Sequence, residues 1–167
     1  MEEDLGTVLG PGGERVRIPK VLPLLPIRGT VVFPGTVMPL AVGRPTSLKM
    51  LEETLPVSKV IALFTQRDED VEDPQPDQLY QVGVAAMVLK LIRQPDNSAS
   101  IIVHGLTRLH LHQTTQTKPY IRVAARRMQE TPGSGKLFSA SVNQLRQQAR
   151  ELIEITPNAP SRHSQFW

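Results

Sequence analysis

The chain has 167 residues, 40% of them hydrophobic and only 4% aromatic, so it is long enough for one domain with an aliphatic core. Its formal net charge of +3 is too small to imply nucleic-acid binding, and the lack of cysteine excludes disulfides and thiolate metal sites. The acidic start is followed by no apolar segment, so we expect no secretory signal and a cytoplasmic location.

The first segment, residues 1–19, is punctuated by glycine and proline, most densely at Gly10–Gly13. Such composition predicts a flexible leader. The glycines could suggest a phosphate-binding loop, but no Lys-Ser or Lys-Thr pair follows them. A linker is therefore the favoured interpretation.

The segment Val21–Arg44 is apolar and contains prolines at positions 23, 26, 34 and 39. A proline inside a helix costs about 3 kcal/mol. The prolines and Arg28 also interrupt the segment before the roughly 20 apolar residues of a membrane span accumulate. Short extended pieces remain, with a tight turn at Pro34–Gly35, and they predict the opening of a small irregular β-barrel.

The next residues predict a helix and then a buried strand. Pro45 and Thr46 suit a helix start, Pro56 ends it, and the leucines at 48, 51 and 55 form one apolar face that would cover an opening of the barrel. The run Lys59–Phe64 predicts a buried strand. The acidic segment Gln66–Gln78 lacks the glycine and closing glutamate of an EF-hand, so it favours a solvated loop over a metal site.

Two long β-rich runs, Leu79–Arg93 and Ser100–His112, flank turn residues and predict an antiparallel hairpin. Gly83 and Gly105 lie inside these strands, where glycine typically marks a bulge or bend. The run Tyr120–Met128 would complete the sheet. Residues 20–130 are thus predicted to form the β-barrel subdomain.

Beyond the break at residues 131–135, the period changes to that of a helix over residues 136–156. Its apolar positions follow a heptad spacing at Phe138, Val142, Leu145, Ala149 and Leu152. A lone helix of this length is marginal in water, so the stripe predicts a partner or weak dimerisation. Residues 157–167 have no apolar period and predict an aberrant or disordered tail.

The sequence patterns that could indicate a nucleotide, metal or RNA site are all incomplete. The Gly133–Lys136 segment resembles a Walker loop, but Glu130 and Leu137 replace its first glycine and its Ser/Thr. A zinc site formed by His104, His110 and His112 is disfavoured because Gly105 interrupts the strand alternation. The arginines at 122, 126, 127, 146 and 150 have only one aromatic residue nearby, so a solvated basic face is favoured over RNA binding. We therefore expect no catalytic, nucleotide or metal residues and no cofactor.

The order of several motifs resembles the N-terminal domain of Lon, the ATP-dependent protease. The resemblance rests on Leu22–Arg28, Val31–Gly35, Pro39–Leu40, Val42–Arg44, Val82–Ala86 and Val103–Arg108. Gly29 is a departure, since the family usually has aspartate there. The resemblance implies an α+β fold: a small irregular antiparallel β-barrel of the PUA-like, Lon N-terminal type with one covering helix, followed by a C-terminal helix.

The same resemblance implies a module that recognises protein substrates for an ATP-dependent Ser-Lys endopeptidase. The motifs of the ATPase and peptidase parts are absent here, so the chain is expected to be truncated before them and to have no enzymatic activity itself. Expected partners are unfolded or damaged proteins and other Lon subunits, with no membrane and with nucleic acid disfavoured. The candidate peptide-binding residues are apolar side chains near the barrel rim: Phe33, Met38, Leu40 and Phe64. The alternative that these four are simply core residues is the favoured one.

Two other classes of function stay open at this point. A PUA-like module that binds RNA is the alternative, and an independent enzyme is the third hypothesis. The missing catalytic motifs argue against the enzyme.

Overall fold

The computed structural model describes residues 4–157 of the chain. The chain divides into two compact units, Met1–Gln129 and Glu130–Trp167. Of the predicted tail over residues 157–167, all but Pro157 lies outside the described residues.

Over residues 4–129, the first unit contains eight strands and one α-helix in the order of the chain. They are β1 (Asp4–Leu9), β2 (Arg15–Pro19), β3 (Val21–Ile27), β4 (Val37–Val42), α1 (Pro45–Thr54), β5 (Val60–Thr65), β6 (Val82–Arg93), β7 (Ala99–Gln116) and β8 (Arg122–Arg127), with a 3₁₀ turn at Pro76–Gln78 before β6. The second unit contains α2 (Lys136–Ile155).

The main sheet has six strands in the order β4-β7-β6-β5-β3-β8, and β8 also pairs with β7. This last pairing closes β7, β6, β5, β3 and β8 into a ring. The predicted α+β class, with one helix over the sheet and a C-terminal helix, is confirmed. One detail differs: β3 and β5 are parallel. The chain forms β4 and α1 between them, which is the kind of long crossover that a parallel pair requires.

Two hydrophobic clusters lie on opposite faces of the central strands. In β5, Val60, Ala62 and Phe64 belong to the first cluster, and Ile61 and Leu63 belong to the second. The first is lined by the ring strands and by β2, and the second is covered by β4 and α1. Burial on both faces explains why β5 is a continuous apolar run rather than an alternating one.

A flexible leader was predicted over residues 1–19, but residues 4–19 contain two strands, and residues 1–3 lie outside the described residues. β1 and β2 form an antiparallel hairpin, and its turn is fixed by a hydrogen bond from the Gly10 N–H to the Glu14 carbonyl at 2.8 Å. Val16 and Ile18 are 7% and 0% exposed and join the first cluster. The alternation of Val16 and Ile18 with polar residues was the strand signal that the glycines of the turn obscured.

The helix α1 covers the second cluster, with Met50 and Leu51 almost fully buried. Pro45 is at its first turn, where the missing N–H is not needed. Leu48 and Leu55 of the predicted face pack at the margin of the cluster. The buried face is therefore rotated slightly from the predicted one.

The helix α2 has no buried residue. Its predicted apolar stripe is present as a surface, with Phe138, Leu145 and Leu152 exposed by 46%, 65% and 62%. Within residues 4–157, no helix has the length and hydrophobicity to cross a membrane.

Candidate functional site

The turn at Phe33–Gly35 is held against strand β7 by backbone hydrogen bonds. The Gly35 N–H donates to the Gly105 carbonyl at 2.8 Å, and the Gly105 N–H donates to the Thr36 carbonyl at 2.9 Å. Gly35 has a φ of +79°, a left-handed conformation that favours glycine. A Cβ atom at position 105 would collide with the Phe33 carbonyl oxygen, so only glycine permits this close approach.

This arrangement places the Phe33 side chain on the surface, over a charged group. Its ring is 51% exposed, and the Arg108 guanidinium carbon lies 5.7 Å from its centroid. The two sequence motifs that contain Phe33–Gly35 and Gly105–Arg108 thus meet in one place, although some 70 residues separate them. A cation over an aromatic face is attracted by the ring quadrupole, which orients the Phe33 ring.

Other exposed apolar side chains surround the same depression, a cavity of about 110 Å³. We call this surface the Phe33 patch, and its members are Val31, Phe33, Tyr80 and Val82, exposed by 55%, 51%, 51% and 44%. The Arg67 guanidinium carbon lies 5.4 Å from the Tyr80 ring centroid, so a second arginine borders the patch. The result is an apolar surface with a basic rim.

The predicted peptide-binding residues separate into two groups in the structure. Phe33 is in the patch, and Met38 is partly buried at the edge of the second cluster. Leu40 and Phe64 are 7% and 0% exposed and are core residues. Because their contacts are already made inside the domain, Leu40 and Phe64 are not accessible for peptide contact, and Phe33 and Met38 remain as candidates.

Sequence reasoning did not identify Val31, Tyr80 and Val82 as members of the patch. Val82 lies two residues before the buried Val84 on the same strand face, and it is itself 44% exposed. The alternation along β6 could have indicated this shared face. Tyr80 follows the acidic loop, and only the folded chain brings it beside Val31.

A groove runs along the outer edge of β4, with a volume of about 560 Å³. Its lining includes Met38, Leu25 and Thr30 as well as the basic residues Arg28 and Arg44. Burial, and secondarily the charge of Arg28, lower the pKa of Arg44. The groove therefore combines apolar walls with positive charge.

The predicted histidine and arginine groups do not form a binding site in the described residues. A register shift in β7 puts Gly105 opposite Ala86 and Thr107 opposite Ala85, which interrupts the alternation from His104 to His110. Within residues 4–157, no group of three His, Asp or Glu side chains is placed to hold a metal ion. In the basic cluster, Arg127 donates from Nε to the Thr107 hydroxyl at 3.3 Å and is thus part of the fold.

The chain matches known proteins over most of its length. The family described as "ATP-dependent protease La (LON) substrate-binding domain" matches residues 21–165. Lon protease of Chloroherpeton thalassium is 38% identical over 151 residues, which cover 90% of this chain and 18% of that protein. Lon protease 2 of Myxococcus xanthus is 34% identical over 158 residues, covering 93% of this chain and 19% of that protein.

Solved structures share the fold. The N-terminal domain of Mycobacterium avium complex Lon protease superposes with a TM-score of 0.53 at 20% identity, covering 81% of this chain and 73% of that one. A Lon N-terminal domain protein from Xanthomonas campestris gives 0.58 at 13% identity, covering 86% and 88%. The chain spans about 18% of the length of the curated relatives it matches. On the extent of the family match, this chain belongs to the family of LON substrate-binding domains.

Proposed function

We propose that this chain recognises exposed apolar segments of unfolded or damaged proteins on behalf of a Lon-type ATP-dependent protease. The Phe33 patch is the observation that carries the proposal. Four large apolar side chains, each 44% to 55% exposed, surround one depression. Grouped exposed apolar residues are typical of interaction sites, whereas single ones are common on any surface.

The patch has properties that suit binding without a strict sequence requirement. Aromatic rings offer a large apolar area with few rotatable bonds, so little entropy is lost when they contact a ligand. The two arginines at its border are already engaged with Phe33 and Tyr80, which favours a rigid surface. Folded proteins bury the apolar segments that such a surface would bind, so the patch would select unfolded chains.

We also propose that the chain acts within a larger protease. It recognises the substrate and leaves hydrolysis to other parts of a Lon-type protease, since the family of the chain is named for substrate binding. Its other partners would be Lon subunits, and it would act in the cytoplasm. The match to only 18% of the length of a Lon protease supports this division of labour.

The test measures the binding of a fluorescently labelled, denatured casein to the 167-residue chain by fluorescence anisotropy. Phe33→Ser is expected to weaken binding about five- to tenfold, because a half-exposed phenylalanine is lost from the contact. Val57→Ser is the matched control. Val57 is 88% exposed but lies outside the Phe33 patch, so its replacement should leave the affinity unchanged.

Two results would contradict the proposal. One is equal loss of binding in Phe33→Ser and Val57→Ser, which would indicate nonspecific adhesion. The other is an absence of casein binding by the unchanged chain. Salt-sensitive retention of single-stranded RNA would then favour the RNA-binding alternative.

A further inference from the structure

Strand β4 is an edge strand of the main sheet. It pairs only with β7, and among residues 4–157 no strand is bonded to its other side. The exposed edge of a strand is a row of backbone donors and acceptors that can pair with another extended chain. The groove of about 560 Å³ lies along this edge.

The pairing register shows which backbone groups of β4 face outward. The Gly105 N–H donates to Thr36, and the same register continues with Met38 opposite Val103 and Leu40 opposite Ile101. Alternate residues of an antiparallel strand bond to the same neighbour. The N–H and C=O groups of Val37 and Ala41, and the C=O group of Pro39, therefore point away from β7.

The residues that line the groove determine which kind of polypeptide segment can bind there. Across from β4, the Pro26 carbonyl already accepts a hydrogen bond from Arg44 Nη1 at 3.2 Å, and Pro26 has no N–H to offer. An added strand would thus bond to β4 alone. Its side chains would meet Met38 and Leu25. Its carboxylates would meet the exposed Arg28, because both terminal nitrogens of Arg44 already donate hydrogen bonds within the domain. The nearby acids Glu69, beside Gly29, and Asp73, beside Arg44, lie outside the groove lining.

We propose that an extended polypeptide segment, apolar with acidic residues, binds along β4 as an additional strand of the sheet. This inference rests on the proposed function and specifies how a substrate chain would be held. In strand addition, main-chain hydrogen bonds provide affinity that does not depend on the side chains of the bound segment. Pro39 withholds one donor in the middle of the edge and so limits uncontrolled pairing with other chains.

The experiment uses two substitutions of opposite effect in the 167-residue chain. Ala41→Pro removes an outward N–H without removing a bond to β7, and Pro39→Ala adds an outward N–H. Ala41→Ser is the matched control, because it changes the side chain but keeps the N–H. Circular dichroism and the melting temperature establish that each variant is folded.

The probe is a fluorescein-labelled decapeptide of alternating valine and glutamate. Ala41→Pro is expected to weaken its binding about two- to tenfold, the range for one hydrogen bond, and Pro39→Ala is expected to strengthen it by a similar factor. Ala41→Ser should bind like the unchanged chain. Replacing the glutamates of the probe by lysines should also weaken binding.

Two peptide isomers test the backbone contact itself, because they differ in which alternate N–H groups are methylated. Only one set of N–H groups can face β4, so one isomer should bind and the other should not. Equal binding of both isomers, together with unchanged affinity in Ala41→Pro and Pro39→Ala, would overturn the inference.

Other results separate this inference from the proposed function. If denatured casein binds through Phe33 but the β4 substitutions have no effect on the decapeptide, strand addition is wrong and the proposed function stands. If sedimentation shows that the β4 substitutions alter only self-association of the chain, the edge pairs with a second copy and the inference is wrong. If casein does not bind the unchanged chain at all, the proposed function itself fails.

Discussion

Arg44 joins three parts of the first unit. Its Nη1 donates to the Pro26 carbonyl, and its Nη2 donates to the Gln66 side-chain oxygen. Gln66, only 2% exposed, uses its amide nitrogen to donate to the carbonyls of Asp68 and Val71 at 2.7 and 2.8 Å. The end of β3, the start of α1 and the acidic loop are therefore linked through one guanidinium group.

We expect Arg44→Met to reduce the free energy of unfolding by about 2–4 kcal/mol. The substitution leaves the Gln66 oxygen and the Pro26 carbonyl without their charged donor, and unsatisfied buried groups of this kind are costly. Urea denaturation measures the change. Arg28→Met is the control, because Arg28 is exposed and should lose less than about 0.5 kcal/mol. Equal losses in the two variants would contradict the role given to Arg44.

Gly105 is the second residue whose identity is explained by its contacts. Gly105→Ala puts a methyl group against the Phe33 carbonyl oxygen, and the backbone there has to move. We expect a loss of about 1–3 kcal/mol in the free energy of unfolding, the usual range for overpacking. Casein binding should also weaken, because the turn that carries Phe33 is displaced.

The control for this prediction is Gly43→Ala. An added Cβ at position 43 meets nothing within 4 Å, so the free energy of unfolding should stay close to that of the unchanged chain. A fully stable Gly105→Ala variant with unchanged casein affinity would show that the close approach is not required.

At the scale of elements, the exposed stripe of α2 predicts self-association. Leu145 and Leu152, 65% and 62% exposed, are at heptad positions, and two such stripes could pair as a short coiled coil. Sedimentation equilibrium should detect weak dimers at high protein concentration. Leu145→Lys should abolish them, whereas Gln144→Lys, at an exposed position away from the stripe, should not. A chain that is monomeric at every concentration would contradict this prediction.

Element prediction from the sequence succeeded where one local rule dominated. Helix α1 begins at Pro45 as expected, and β5, β6 and β7 lie within the predicted apolar runs or close to them. The β1–β2 hairpin was missed because its only strong signal is two buried residues, Val16 and Ile18, beside a glycine-rich turn. The glycine-rich composition of this segment predicts a linker. The strands form because Val16 and Ile18 pack against the rest of the fold, which local composition does not reveal.

The candidate site was less predictable than the elements. Phe33 was predicted as an apolar residue near the barrel rim, and it lies on the surface in the Phe33 patch, although its contact with peptide stays a prediction. Phe64 was also proposed, but β5 is buried on both faces, and a continuous apolar run does not distinguish a rim position from a core position. Tyr80 and Val82 join the patch through pairings between distant segments, which no local pattern encodes.

At the scale of the whole molecule, both hydrophobic clusters are built from residues of the first unit alone. We therefore expect residues 1–129 to fold without the second unit. Calorimetry of the shortened chain should show a transition temperature within about 2 °C of that of the full chain, since no core contact is removed. A large decrease in this temperature would show that α2 stabilises the first unit.

The double burial of β5 has a consequence for how the domain comes apart. Because this strand contributes side chains to both hydrophobic clusters, neither cluster can lose its order while the other stays intact. The slowly exchanging backbone amides in the strands of both clusters should therefore lose their protection together. Hydrogen exchange should show one cooperative opening rather than two separate ones. Under the proposed function, this domain would stay folded while a bound polypeptide is pulled away from it.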